Sequence, residues 1–122
     1  MAEEGIRWSC QNGDIDNLKS SIDRPGFDIN ACIGKRPPLH IAADYGQLSV
    51  IEFLVKNGAE VNKKDELGMS ALLAAIYENH YDCVEFLLKN GASTNDTAPS
   101  GETLLECAEQ EKLKELLRKY KK

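Results

Sequence analysis

Apolar residues recur at helical spacing in short segments of the chain. In segment 50–56 they form one face of a helix, made by Val50, Ile51, Phe53, Leu54 and Val55. Asn57-Gly58 follows and predicts the end of that helix, because glycine adopts the left-handed conformation of a helix C-terminus at little cost. A helix with smaller side chains, rich in alanine, is expected near 38–45. Pro38 suits its first turn, because the N–H that proline lacks would have no intrahelical partner there.

The pattern returns with a period of 33 residues. The segment Val50–Asn62 reappears as Cys83–Asn95 with eight of thirteen residues identical, and weaker matches extend the period in both directions. The period divides the chain into four units, at about 1–30, 31–63, 64–96 and 97–122, of which the outer two are irregular. Since neither short helix of a unit buries its apolar face alone, the pattern predicts an all-α solenoid of stacked units whose first and last members have polar outer sides.

Two motifs accompany the period of 33 residues. They are Pro38-Leu39-His40-Ile41-Ala42 and the ending G-A-x-x-N, which occurs twice. Together they resemble the ankyrin repeat, whose signature contains T-P-L-H-x-A. The resemblance implies helix-turn-helix units in which the signature histidine is structural and ties a helix start to the adjacent loop. Pro37 stands in place of the signature threonine, so His40 is expected to bond another backbone group or a water. His80, in the turn between two helices, is also expected to be structural.

Composition and charge narrow the function classes. The chain has 122 residues, 42% of them hydrophobic and 29% charged, which is typical of a single globular domain. Residues 1–111 hold 19 acidic and 9 basic side chains, and such an acidic body disfavours nucleic acid, whose affinity depends on neutralised phosphates. Residues 112–122 carry a charge of +5. That basic end either complements the dipole of a terminal helix, which we favour, or touches an anionic surface.

The cysteines and the N-terminus predict a cytoplasmic protein. The four cysteines form no C-x-x-C pair, so we expect small buried apolar residues in a reducing compartment and neither a disulfide nor a metal site. No apolar stretch approaches the roughly 20 residues that cross a bilayer, and the acidic N-terminus carries no secretory signal. The expectation is a monomer when free, without membrane association.

An enzyme is the alternative of a different class. The sequence contains no Gly-rich phosphate loop, no H-E-x-x-H motif and no recognisable nucleophile with its base. Both histidines have structural explanations. We therefore expect no catalytic residue, no cofactor and no metal.

The ankyrin resemblance implies a binding face. In this family, partners contact the concave side, which is formed by the loop fingertips and the exposed positions of each first helix. The corresponding positions here are Trp8, Asn12, Ile33, Arg36, Asp44, Tyr45, Glu66, Met69, Tyr77 and Glu78. Aromatic side chains supply contact area and carboxylates steer charged partners, so this set predicts a protein partner with a basic surface.

A resemblance that covers more of the chain implies a particular protein partner. Trp8, Asn12-Gly13-Asp14 and the segments 38–48 and 72–80 are similar to short, free-standing ankyrin proteins that bind the heterodimeric actin-capping protein and keep it off filament barbed ends. The resemblance implies regulation of actin assembly. One departure lies at the face itself, because the fingertip around Gly34 is one residue shorter and carries Lys35 where an acidic tip is expected. The alternative is an ankyrin adaptor in a signalling or transcriptional complex, since a fold alone does not fix a partner.

Overall fold

Helices dominate the structure, a computed structural model that describes residues 2–121, with side chains from Glu4 onward. Within this range the helices are α1 (Ala2–Asn12), α2 (Ile15–Ile22), α3 (Pro38–Asp44), α4 (Leu48–Lys56), α5 (Ala71–Tyr77), α6 (Tyr81–Lys89), α7 (Leu104–Cys107) and α8 (Glu111–Tyr120). The same range contains isolated β-bridges at Ile33–Arg36 and Thr97–Thr103 and no β-strand. The all-α class expected from the sequence is confirmed.

The helices pack in pairs, and the pairs stack. Each odd-numbered helix packs against the even-numbered helix that follows it in the chain. The odd-numbered helices also contact one another in sequence and form an inner layer, while the even-numbered helices form an outer layer in the same way. This is the predicted solenoid of four helix pairs. Its ends are irregular as expected, since α1 has 11 residues and α7 only 4.

The local sequence explains where the helices begin and end. Ser70 precedes α5, and its Oγ accepts a hydrogen bond of 3.1 Å from the backbone N–H of Leu73. Thr103 and Glu106 form a capping box at α7, in which each side chain accepts from the other residue's backbone N–H. Such caps satisfy N–H groups that a helix start leaves unpaired. At the other end, α4 stops at Lys56 and Gly58 has a φ of 101°, as the Asn-Gly pair predicts.

The turn between α3 and α4 has no room for a side chain. Gly46 has a φ of 69° there, a conformation that glycine adopts at little cost. A Cβ atom at this position would lie 2.6 Å from the imidazole of His80. Asn79 occupies the equivalent turn between α5 and α6 with a φ of 59°, which asparagine tolerates better than most residues. The turn between α3 and α4 therefore needs glycine at position 46, because the His80 ring of the next repeat packs against it.

The core lies between the two layers and continues through the stack. Fully buried leucines come from every helix pair and include Leu18, Leu54, Leu72, Leu87, Leu104 and Leu113. Burying one such side chain stabilises a fold by roughly 1.5–3 kcal/mol. The inner helices α3 and α5 contribute buried alanines, which allow their backbones to approach closely. Because each pair is closed by its neighbours, the chain is stabilised mainly by contacts between repeats.

Asparagine side chains tie the loops of neighbouring repeats together. Asn30 contacts a backbone N–H and a carbonyl in the loop after α4, at 2.8 and 3.4 Å. Asn62 does the same in the loop after α6, where its Oδ1 accepts from Ser93 N at 2.8 Å and its Nδ2 donates to Gly91 O at 2.9 Å. The asparagine of the G-A-x-x-N motif thus links its loop to the loop of the next repeat.

Candidate protein-binding face

His40 is buried at the start of α3 and holds the next fingertip. Its Nε2 lies 3.0 Å from the backbone carbonyl oxygen of Met69, and since a carbonyl only accepts, Nε2–H donates. Burial lowers the pKa of His40 below its ordinary value of 6.5, so the ring is neutral at pH 7. Nδ1 has no hydrogen-bond partner among the described protein atoms. The structural role agrees with the sequence, and the backbone of Lys63 lies close enough to the ring to offset part of the lowering of the His40 pKa.

His80 also holds repeats together. Its Nε2–H donates to the backbone carbonyl oxygen of Asp44 at 3.0 Å. Gln47 has the same position one repeat earlier, and its Nε2 donates to the carbonyl oxygen of Gln11 at 2.8 Å. Each side chain thus reaches from the start of an outer helix to the end of the preceding inner helix. Both histidines of the chain are engaged in stacking.

Two of the four cysteines are buried thiols of low reactivity. Burial raises the pKa of Cys10 to about 12 and that of Cys83 to about 11, so both thiols are protonated at neutral pH and are poor nucleophiles and metal ligands. Over residues 2–121, no group of three or more His, Cys, Asp or Glu side chains is arranged to hold a metal ion. In the same range, no helix has the length and apolar content to cross a membrane.

We call the surface made by the exposed sides of α1, α3, α5 and α7, with the loop tips that precede α3, α5 and α7, the inner-helix face. It corresponds to the concave side expected from the sequence. Four large apolar side chains are exposed on it: Trp8 (54%), Tyr45 (50%), Leu67 (56%) and Tyr77 (44%). Leu67 was missed by the sequence interpretation. Its exposure could have been predicted, because Leu67 is a single leucine between Glu66 and Gly68 at a loop tip, far from the apolar segments that form the core.

Arg36 links the middle of this face to the next fingertip. Its Nη1 lies 3.3 Å from Asp44 Oδ2, its Nε lies 3.8 Å from Asp65 Oδ2, and its Nη2 donates to the carbonyl oxygen of His40 at 3.3 Å. The Asp65 carboxylate is buried, and its other oxygen accepts from the backbone N–H groups of Leu67 and Met69. Arg36 and Asp44 are therefore partly committed to holding two repeats in register.

The structure contradicts one predicted contact residue. Ile33 is only 6% exposed. It is the first residue of its fingertip, where its N–H donates to Arg36 O at 2.8 Å, and the residues at the equivalent position of the next two fingertips, Asp65 and Ala98, are buried as well. Met69 is half-buried, and its carbonyl receives the His40 hydrogen bond. Asn12 is exposed, although its amide donates to the Trp8 carbonyl oxygen at 2.8 Å and closes the end of α1.

The second half of the face carries the carboxylates that the sequence predicts. Glu66 and Glu78 are exposed and form no ion pair with a cation in the described part of the chain. Tyr77 directly precedes Glu78, and its Oη accepts a hydrogen bond of 3.6 Å from the thiol of Cys107. The Cys107 thiol, burial and the nearby Glu102 carboxylate raise the pKa of Tyr77. The phenol is therefore neutral and able to donate a hydrogen bond to a partner.

The first half of the face contains a shallow cavity between α1 and the first fingertip. Its volume is about 240 Å³, and it is lined by Arg7, Gln11, Ile33, Gly34, Lys35, Arg36, Ile41, Asp44 and Tyr45. Four predicted residues meet here, namely Ile33, Arg36, Asp44 and Tyr45. Arg7 and Lys35 were not among the predicted site residues. The structure thus gathers more cations at this end than the sequence interpretation expected.

Comparison with known proteins supports the repeat assignment. A family model described as ankyrin repeats, in three copies, matches residues 6–98. Myotrophin of Xenopus tropicalis is 42% identical over 60 residues, which are 48% of this chain and 50% of that protein. The resemblance to small ankyrin proteins of this kind, inferred from the sequence, is confirmed over about half of the chain.

Other relatives match within much longer proteins. The Arf-GAP with ANK repeat and PH domain-containing protein cnt-1 of Caenorhabditis elegans is 38% identical over 63 residues, 52% of this chain and 8% of that protein. Serine/threonine-protein kinase 12 of Arabidopsis thaliana is 36% identical over 83 residues, 66% of this chain and 18% of that protein. The chain spans half or less of the length of these relatives.

Proposed function

The chain belongs to the ankyrin-repeat family, and we propose that it is a non-catalytic protein-binding module that contacts its partner with the inner-helix face. The observation that carries this proposal is the exposure of Trp8, Tyr45 and Tyr77 on that one face. Exposed aromatic side chains lose little entropy on binding and bury a large area, so they are frequent energetic anchors of protein interfaces. Glu66 and Glu78 lie beside them as exposed charges that orient a partner.

We further propose that the partner is the heterodimeric actin-capping protein. The similarity to myotrophin supports this partner, as does the wider resemblance of segments 38–48 and 72–80 to capping-protein-binding ankyrin proteins. In this mechanism the chain occupies the basic surface with which capping protein closes a filament end. Inhibition is then stoichiometric, takes place in the cytoplasm, and involves neither turnover nor a nucleotide.

Affinity capture from a cell lysate tests the partner. The tagged chain is incubated at low and at physiological salt, and bound proteins are identified by mass spectrometry. Recovery of both capping-protein subunits in equal amounts supports the proposal. Direct binding of the purified heterodimer, measured by calorimetry, must then give a stoichiometry of one to one. Absence of both subunits even at low salt contradicts it.

An adaptor for a different intracellular partner is the second candidate. The observation in its favour is that similar ankyrin segments form small parts of proteins as different as an Arf-GAP and a protein kinase. In that case the lysate yields a partner other than capping protein, and the purified chain leaves capping of actin filaments unchanged. The variant Tyr77→Ala then reduces capture of the new partner, since the same aromatic face is used.

A further inference from the structure

The inner-helix face has opposite charges at its two ends. Exposed carboxylates occupy the second half, at Glu78 and Glu102, while Glu66 lies where the two halves meet, since its backbone N–H donates to the Lys35 carbonyl oxygen at 3.0 Å. Three of the nine basic side chains in residues 1–111 line the cavity of the first half, namely Arg7, Lys35 and Arg36. In a chain whose net charge is −5, such a local excess of cations changes which partner surface the face can accept.

Arg7 is held against the first fingertip. Its Nη2 lies 3.1 Å from the position that a Cβ atom at residue 34 would occupy. Gly34 has a φ of 70°, a backbone conformation that favours glycine. Arg7 is half-buried and lines the cavity beside it.

The charges that line the cavity do not cancel. Asp44 is the single acidic side chain of the lining, against three basic ones, and its carboxylate is 3.3 Å from Arg36. Arg36 in turn contacts the buried Asp65. Lys35 is exposed at the rim and forms no ion pair with the side chains that the structure describes. The lining thus retains a charge of +2, supplied by Arg7 and Lys35.

We propose that this cavity binds an aspartate or glutamate side chain of the partner protein. A guanidinium and an ammonium group around a small cavity match a carboxylate in charge and geometry, while the Gln11 amide and the Tyr45 ring complete the wall. The inference rests on the proposed function of the inner-helix face and specifies its partner. That partner presents an acidic segment to the first two repeats and a basic surface to the last two, which fixes one orientation of binding.

One acidic and one basic peptide test the cavity independently of capping protein. Hexaglutamate and hexalysine are titrated into the isotopically labelled full chain while amide and Arg Nε–Hε signals are followed by NMR. Hexaglutamate is expected to shift the signals of Arg7, Gly34 and Lys35, and hexalysine those of Glu78 and Glu102. The basic helix α8 also attracts hexaglutamate and serves as the internal control. If α8 responds while Gly34 and Lys35 do not move, the carboxylate site is absent.

Charge reversal identifies the residues responsible. In Arg7→Glu/Lys35→Glu the response of Gly34 to hexaglutamate is expected to vanish while that of α8 persists. The same variant is expected to bind purified capping protein at least about tenfold more weakly at low salt, whereas Lys56→Glu, on the outer helix α4, binds as the wild type does. Circular dichroism checks that all variants are folded. A wild-type chain that fails to bind capping protein contradicts only the proposed partner, whereas a charge-reversed variant that binds it unchanged contradicts only the carboxylate site.

Discussion

The imidazole of His80 donates a hydrogen bond to the backbone carbonyl oxygen of Asp44, 36 residues earlier in the chain and 3.0 Å away. This contact joins the outer helix of one repeat to the inner helix of the preceding one. Gln47 makes the equivalent contact with Gln11 at 2.8 Å, so an imidazole and a carboxamide serve the same purpose. The carbonyl of residue 44 lies at the end of α3, where no helical N–H remains to satisfy it.

Removing this contact lowers stability, and a glutamine restores it. His80→Ala leaves a half-buried carbonyl without its donor and is expected to reduce the free energy of unfolding by about 1–3 kcal/mol. His80→Gln is expected to retain most of the wild-type stability because Gln47 already performs this role. Urea denaturation measures both variants. Equal losses for alanine and glutamine would show that the imidazole contributes by packing rather than by its hydrogen bond.

Gly46 is expected to be the least replaceable turn residue of the described chain. A methyl group there meets the His80 ring at 2.6 Å and also has to adopt a φ of 69°. Gly91→Ala is the matched control, since its φ is 94° and no atom lies within 4 Å of the added Cβ. We expect Gly91→Ala to cost about 1–2 kcal/mol from backbone strain alone, and Gly46→Ala to cost more.

A double mutant separates the two causes at Gly46. If crowding by His80 contributes, the losses of Gly46→Ala and His80→Ala are less than additive, because removing the ring relieves the contact. Denaturation midpoints of the two single variants and the double variant give this coupling energy. Strict additivity would mean that backbone conformation alone accounts for the effect.

Much of the fold was predictable because it depends on local sequence and on a period. The helix expected near 38–45 is observed at Pro38–Asp44, and the Asn-Gly pair after α4 ends it as predicted. Burial within an irregular repeat was harder. Trp8 has the register of Ile41, one period later, yet Trp8 is exposed while Ile41 is buried. The period alone therefore did not predict burial in the first repeat.

Two residues of the inner-helix face show how the register misleads. Ile33 was assigned to an exposed tip, but it is the first residue of its loop, and its counterparts Asp65 and Ala98 are buried as well. Arg7 was not among the predicted residues; it has the register of His40, which is buried in the next repeat. The contact of His80 with the Asp44 carbonyl depends on how two repeats pack against each other. The sequence pattern does not predict the distance between two groups that are 36 residues apart in the chain.

The leucines shared by stacked repeats are expected to be the most costly truncations. Leu54 and Leu87 are completely buried in α4 and α6, so Leu→Ala at either position is expected to destabilise the fold by about 2–5 kcal/mol. Leu67→Ala is the control, because that side chain is exposed and its truncation is expected to change stability by no more than about 0.5 kcal/mol. An unchanged denaturation midpoint for Leu54→Ala would contradict the burial described here.

Stability is expected to fall below pH 6.5 because of His40. Burial holds the folded-state pKa of His40 below the ordinary value of 6.5. Just below that pH, His40 is therefore protonated in the unfolded chain but remains neutral in the folded chain. The free energy of unfolding then decreases as pH falls, by at most about 1.4 kcal/mol per pH unit. The slope is measured between roughly pH 6.5 and pH 5.5, above the range in which ordinary carboxylates titrate.

The matched control for this titration removes the other histidine. The comparison uses His80→Gln as the background, in which His40 is the single remaining histidine, and adds His40→Gln to it. The second substitution is expected to destabilise the protein at pH 7 and to flatten the pH dependence. A slope that is unchanged without His40 would assign the proton uptake to another group.

The last prediction concerns the proposed inhibition of capping through the inner-helix face. Tyr77 is exposed beside Glu78, and loss of an aromatic anchor typically costs about 2 kcal/mol or more, while loss of one rim carboxylate mainly slows association. Tyr77→Ala is therefore expected to raise the dissociation rate from capping protein. Glu78→Gln is expected to lower the association rate at low ionic strength, where charges are least screened.

Actin assembly in the presence of capping protein measures the combined effect. The wild-type chain is expected to restore filament-end growth in proportion to its concentration, and Tyr77→Ala/Glu78→Gln to need at least about thirtyfold more protein for the same growth, since about 2 kcal/mol corresponds to that factor. Glu52→Gln on the outer helix α4 removes a carboxylate elsewhere and is expected to act as the wild type. If the folded double variant restores growth as effectively as the wild type, capping protein does not bind through this face.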